Sequence, residues 1–407
     1  MKIIYLHQYF STPQMPGGIR SYEMAKRFVT AGHEVHLITS HREAGDCFHG
    51  WMEKNIDGIH VHWVHVPYSN KMEFTARIMS FMKFSFLSGL QAVKVGGDVI
   101  FATSTPLTIA LPAVYAARRL KKPMVFEVRD LWPELPIAVG VLKNPFLKKA
   151  ARWLEQFAYK NAKYVVALSL GMAKGVIKSG YSPDKVHVIP NSCDTDLFQV
   201  PQSEGQKFLN SHPELQGGPL VLYAGTLGLI NGVGYLVDIA SAMLQIDPAV
   251  RFLIVGDGRE QDQIREKVSN AGVLGKNFWM IPPIPKLEMP RLLSATTIAT
   301  SFVIDLPELW NNSANKFFDA LAAGRPVMVN YEGWQADLIR ETGSGLVVSP
   351  TYAVQSARML HDFLSEPDKV AKAGQAAFQL AKTRFDSDDL AEELLAVLQK
   401  ASADYAD

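Results

Sequence analysis

With 407 residues, 48% of them hydrophobic and 20% charged, the chain has the composition of an ordinary globular protein long enough for two cores. Two cysteines, Cys47 and Cys193, exclude a disulfide framework or a thiolate metal site and suit a reducing compartment. The net charge of +1 conceals a division: residues 1–190 hold 24 Lys and Arg against 13 Asp and Glu, net +11, and residues 191–407 hold 17 against 27, net −10.

A basic half in a neutral protein implies an anionic partner. Neither a Cys/His finger nor an RNP-like aromatic signature accompanies it, so no nucleic acid is expected and an anionic membrane surface is. The chain begins on the strand-like run Lys2-Ile3-Ile4-Tyr5-Leu6 with no basic leader before it, which predicts a cytoplasmic protein.

Strand–loop–helix repeats follow. Residues 2–10 read as a strand, 11–18 as a Pro/Gly loop, 21–31 as a helix closed by Gly32, and 34–40 as a second strand. Such alternation predicts a parallel sheet covered by helices, with ligands beyond the carboxyl ends of its strands. Gly17-Gly18 could bring backbone close to a phosphate there, or could simply form a turn. Residues 71–95 read as a helix rich in Phe and Met, interrupted by Arg77 and Lys83. It suits either a membrane interface or the core, but not a span. The basic run Lys143, Lys148, Lys149, Arg152, Lys160, Lys163 favours the interface. The strand at 124–128 ends in Arg129-Asp130-Leu131-Trp132-Pro133-Glu134. Arg129 and Asp130 are candidate catalytic groups by position, or a pair that anchors the loop.

Periodicity pauses after Ile189-Pro190, so the domain boundary falls at 190/191, with residues 191–218 as linker, 219–385 as the second domain and 386–407 as a closing helix. Asp194 reads as a capping residue of the linker. Strands at 220–224, 251–255, 278–281, 297–301 and 327–330 alternate with helices. The stretch Asn311-Asn312-Ser313-Ala314-Asn315-Lys316-Phe317-Phe318-Asp319 leads into a helix that Gly324 and Pro326 stop. Lys316 and Asp319 project three residues apart near its positive end. That arrangement grips a phosphate and offers a carboxylate to hydroxyls, as a nucleotide-sugar requires, or makes a solvated ion pair.

In order, Gly17-Gly18, Gly32-His33-Glu34-Val35, Arg129 to Glu134, Ile189-Pro190-Asn191, Tyr223-Ala224-Gly225-Thr226, Val255-Gly256-Asp257-Gly258 and Asp319-Ala320-Leu321-Ala322-Ala323-Gly324-Arg325-Pro326-Val327 resemble a retaining GT-B glycosyltransferase of family 4 over nearly the whole length. The branch is the one with the Arg-Asp-Leu-Trp-Pro-Glu segment. The resemblance implies an α/β fold of two doubly wound Rossmann-like domains facing across a cleft, acceptor on the first and donor nucleotide on the second. It implies no bound metal and no cofactor. The family's paired glutamates fall on Asn311 and Asp319, the latter assigned to the ribose. Thr226 and Asn231 stand where members often carry an Arg and a Lys for the diphosphate, so that charge falls to Lys316, with Arg325 a lesser candidate. Gly17, Gly18 and Asn315 would offer backbone N–H groups, Asp257 lies in a donor-side turn, and base contacts fall near Pro283. The implied reaction moves a sugar from a nucleotide-diphosphate sugar to a lipid-linked or saccharide acceptor, in surface polysaccharide synthesis at the inner face of the plasma membrane. A sugar-nucleotide epimerase of the same fold and a non-catalytic membrane-associated subunit are the alternatives.

Overall fold

The computed structural model describes residues 1–41, 50–69 and 72–406; Cys47 and Lys71 lie outside them. The chain forms two compact units. Met1–Thr12, Ile19–Pro190 and Asp388–Asp407 make the first, and Pro13–Gly18 with Asn191–Ser387 the second.

The first unit runs β1 (Lys2–Leu6), α1 (Arg20–Thr30), β2 (Glu34–His41), β3 (Trp51–Ile56), β4 (Ile59–His65), α2 (Phe74–Val95), β5 (Val99–Thr103), α3 (Ala110–Leu120), β6 (Met124–Val128), α4 (Glu134–Ala138), α5 (Pro145–Asn161), β7 (Tyr164–Ala167), α6 (Leu170–Lys178) and β8 (Val186–Val188). Its sheet has the order β3-β4-β2-β1-β5-β6-β7-β8. Every pairing is parallel except that of β3 with β4. The central strands are buried and mainly apolar because helices cover both faces. The β3–β4 hairpin turns on Asp57-Gly58, both at positive φ, as a two-residue hairpin loop requires. The predicted helix at 71–95 is α2 (Phe74–Val95), and the core reading holds for part of its surface. One face buries Phe84, Ser88, Gln91 and Ala92, while Met79, Met82, Phe86 and Leu90 are exposed.

The second unit runs α7 (Thr195–Phe198), α8 (Gln202–Ser211), β9 (Leu220–Ala224), α9 (Gly234–Ile246), β10 (Arg251–Val255), α10 (Gln261–Asn270), β11 (Phe278–Ile281), α11 (Met289–Ala295), β12 (Ile298–Ser301), α12 (Asn315–Ala322), β13 (Val327–Val329), α13 (Trp334–Thr342), β14 (Gly345–Val347), α14 (Ala353–Leu364) and α15 (Pro367–Arg384). All its strands are parallel, in the order β11-β10-β9-β12-β13-β14. The order reverses between β9 and β12, which marks the loops leaving those strands as ligand positions. The stretch read as linker is folded: Asp194 Oδ1 accepts from the Leu197 N–H at 3.0 Å to cap α7, and α8 packs on α11. The last helix, α16 (Ser387–Ala406), belongs almost wholly to the first unit. Among the described residues one helical window, Leu229–Ile246, is apolar and long enough to cross a membrane; its α9 part places Leu236, Val237, Ile239, Ala240 and Met243 in the second core.

Candidate active site

The site in the second unit is built around α12. Phe317, Phe318, Ala320, Leu321 and Ala322 are buried, and each Phe contributes roughly 1.5–3 kcal/mol by leaving water. Gly324 (φ +62) ends the helix. Its N–H donates to Leu321 O and that of Arg325 to Ala320 O, both at 2.9 Å, the double closure that needs a left-handed residue. The apolar face thus fixes the rotation of α12, and its first turn presents Lys316 to the loop that leaves β9 and Asn315 to Gly18.

That loop passes close to the lysine. A Cβ on Gly225 would meet Lys316 Cε at 3.0 Å. Lys316 Nζ lies 3.3 Å from Asn231 Oδ1 and 4.9 Å from the Tyr223 ring centroid. Tyr223 is held in turn by its hydroxyl, which donates to Thr226 O at 2.8 Å. Among the described residues Lys316 has no acidic partner, and burial alone lowers its pKa to about 8. Gly256 and Gly258 let the next turn run backbone against backbone with Gly225 and Leu227, and Asp257 O accepts from the Leu227 N–H at 2.7 Å. The Asp257 side chain is exposed, as is Pro283 in the loop after β11. Gly18 lies against the Asn315 side-chain amide, which would have to move to admit a Cβ there, and Gly17 has φ +111. Asn311 is half-buried in the turn before α12.

Asp319 does not pair with Lys316. Its Oδ1 lies 2.6 Å from Lys286 Nζ, both side chains nearly buried. Nor does Arg325 join the lysine. It sits beyond the other end of α12, donating to Ser294 O at 3.0 Å.

In the first unit Arg129 and Asp130 leave the carboxyl end of β6. The Arg129 N–H donates to Ser104 Oγ and Thr105 Oγ1 to Asp130 Oδ2, both at 3.0 Å. Burial raises the Asp130 pKa, while Thr105 and Arg129 oppose the rise. Beneath them Glu127 is wholly buried and paired with Arg20 at 2.9 Å, and it accepts from Thr103 Oγ1 at 2.6 Å. Burial pushes its carboxyl up, but Arg20, Arg129 and these hydrogen bonds outweigh it and hold the pKa below the usual range. Arg20 also donates to the carbonyls of Ile189 and Pro190.

Residues 17–192 match the family described as Glycosyl transferase 4-like domain, and residues 206–380 that described as Glycosyl transferases group 1. The chain is a glycosyltransferase of the GT-B fold. Its relatives include alpha-maltose-1-phosphate synthase of Mycolicibacterium smegmatis, 24% identical over 69% of this chain and 74% of that protein. The probable glycosyltransferase WbjE of Pseudomonas aeruginosa is 23% identical over 73% and 74%. Among solved structures, sucrose-phosphate synthase from Thermosynechococcus elongatus superposes with a TM-score of 0.80 at 17% identity over 99% of both chains. Anabaena Alr3699/HepE in complex with UDP-glucose gives 0.73 at 18% identity over 98% of this chain and 100% of that one.

Within this glycosyltransferase the group 1 match covers every candidate donor residue except Gly17 and Gly18. Those two nonetheless pack with the second unit. Four residues of the sites had no part in the sequence reading: Tyr223 as a partner of Lys316, Lys286, Arg20 and Glu127. Only Glu127 left a signal, a carboxylate inside the apolar strand Met124-Val125-Phe126-Glu127-Val128, where a charge must be paired.

Proposed function

We propose that the enzyme moves a sugar, with retention, from a nucleotide-diphosphate sugar held by the second unit to a lipid-linked or saccharide acceptor held by the first, in surface polysaccharide synthesis. The observation that carries this is Lys316, a half-buried lysine at the first turn of α12 whose desolvated ammonium has, among the described residues, no acidic partner. Such a group lowers stability unless an anion arrives, and the adjoining helix N-terminus and glycine loop suit a diphosphate. Lys316 reaches Asn231, the position where the family resemblance expects a loop lysine, so the cation comes from the helix instead of the loop. UDP and UDP-glucose in the HepE complexes support a uridine donor as the first to try.

Transfer places positive charge on the anomeric carbon and negative charge on the departing diphosphate. Lys316, Asn231 as its tether, and the N–H groups of Asn315, Gly17 and Gly18 would meet that negative charge with donors already in place. Asp319 would accept from the ribose. Arg129 and Asp130 would place or polarise the acceptor hydroxyl.

The membrane side of this reading rests on the helical layer of the first unit. α2 packs on α3, and α3 on α5. Together they carry nine Lys and Arg, namely Arg77, Lys83, Lys94, Arg118, Arg119, Lys148, Lys149, Arg152 and Lys160, against the single acid Glu155. Phe86, Phe146 and Trp153 are 69%, 81% and 59% exposed on the same helices. Basic side chains around exposed aromatic groups suit an anionic leaflet. The deciding experiment follows labelled sugar from nucleotide donors into an isolated lipid fraction. Transfer that is lost in Lys316→Met supports the proposal; transfer unchanged by that substitution refutes the role given to the lysine.

A further inference from the structure

Asp319 is one methylene shorter than the glutamate expected at its place, and its carboxylate is oriented from elsewhere. Lys286 Nζ stands 2.6 Å from Oδ1, with the two side chains only 8% and 17% exposed. The lysine itself is fixed from several directions. Its backbone N–H donates to Met15 O at 3.3 Å, and its ammonium lies 5.0 Å from the ring centroid of Phe198, a buried residue of α7. It opens a 3-10 turn, Lys286–Glu288, directly after Pro282-Pro283-Ile284-Pro285, whose prolines restrict the loop.

A buried ion pair adds little stability over apolar side chains of the same volume, because desolvation offsets the attraction. What it does supply is orientation. A carboxylate turns about a broad terminal torsion, and an ammonium fixed against one oxygen narrows that range. Among the described residues none donates a hydrogen bond to Oδ2 of Asp319, so that oxygen is the one left for a ligand.

We propose that Lys286 is a positioning residue: by holding Oδ1 of Asp319 it aims Oδ2 at the ribose hydroxyls of the donor and gives the site its preference for ribonucleotides. The inference rests on the assignment of Asp319 to the ribose. It also joins the loop beside the base to the group that reads the sugar of the nucleotide, so both are set by one side chain.

The test titrates the full chain by calorimetry with UDP, GDP and ADP, then repeats the tightest with its 2′-deoxy and 3′-deoxy analogues. The wild-type protein is expected to prefer the ribonucleotide by roughly tenfold or more, the range for a hydrogen bond to a charged group. Lys286→Met should erase most of that preference while leaving affinity for the deoxy analogues nearly unchanged, and Lys286→Arg should restore part of it. Lys286→Gln replaces Met if the latter does not yield folded protein. Equal weakening of ribo and deoxy ligands in these variants, with the preference intact, would reduce Lys286 to a structural support and overturn the proposal. Asp319→Ala separates the two layers. If it too leaves the preference intact, or if none of the three nucleotides binds, the ribose assignment falls and the inference with it. Loss of the preference in Asp319→Ala but not in the lysine variants defeats the inference alone.

Discussion

Lys316 carries an opposition between stability and binding that pH can expose. Its ordinary pKa of 10.5 is lowered to about 8 by burial. Between those values the unfolded chain holds a proton that the folded chain has released, so stability rises with pH across the window. Below it the folded protein bears the whole cost of a buried ammonium. Lys316→Met is therefore expected to raise the melting temperature at pH 7 while weakening nucleotide diphosphate binding by roughly 1.5–3 kcal/mol. Wild-type affinity should also fall as pH rises through about 8, where the ammonium is lost. A pH-independent Kd between 7 and 9 would remove Lys316 from the phosphate site. Asp319→Ala should weaken nucleotide binding by a similar 1.5–3 kcal/mol, and an unchanged Kd would end its ribose assignment. Both residues were legible in the sequence because one short helix carries them at a fixed spacing. Lys286 was not, since 33 residues separate it from Asp319 and nothing local in Pro285-Lys286-Leu287 announces a buried partner.

At the scale of elements, β6 brings a buried pair and a half-buried loop together. Glu127 has a depressed pKa, so the stability it contributes is present above the ordinary carboxylate range and is lost only as pH falls through its lower folded value. Arg20→Met leaves that carboxylate buried and unpaired and is expected to cost about 3–5 kcal/mol in urea unfolding at pH 7. Cost near zero would mean that water reaches Glu127. Just beyond the strand, Arg129→Ala and Asp130→Ala should lower transfer far more than nucleotide binding. Intact turnover with a lowered melting temperature would make the pair an anchor, as the bond from Thr105 to Asp130 by itself would allow. Most parallel strands of both sheets were readable as apolar runs between glycine and proline signals; β4, with its alternating histidines, and the three-residue β14 were not. The β3–β4 hairpin was not, because β3 reads Trp-Met-Glu-Lys-Asn-Ile, an edge strand whose polarity hides its period. α2 was ambiguous for a physical reason: Phe and Met face both the core and solvent, so hydrophobicity alone could not choose.

Over the whole molecule, charge division and chain path have separate consequences. The α2–α3–α5 layer gains from the state of its single acid, since burial and the neighbouring Glu134 push Glu155 up to about 8. At pH 7 that side chain is mostly neutral. With about 1 kcal/mol for each basic residue near an anionic leaflet, the protein is expected to sediment with anionic vesicles, much less with neutral ones, and to be released by salt. Changing Lys148, Lys149 and Arg152 together to Glu should abolish that sedimentation and transfer to a lipid-linked acceptor while sparing soluble nucleotide binding. Equal sedimentation with neutral and anionic vesicles would leave the basic half without this explanation. The path of the chain bears on how such a protein is made. It leaves the first unit at Pro190 and rejoins it at Asp388, and close to those points the Cys193 N–H donates to Phe385 O at 2.7 Å. Apart from Pro13–Gly18, the second unit is thus a cassette spliced into the first. On the ribosome the cassette is delivered whole before α16, whose Leu390, Leu394, Leu398 and Ala401 are buried and whose Asp388 and Asp404 bond Arg27 and Tyr164. The strands of the first unit therefore wait for α16, and the inserted stretch between them is the part free to finish folding first.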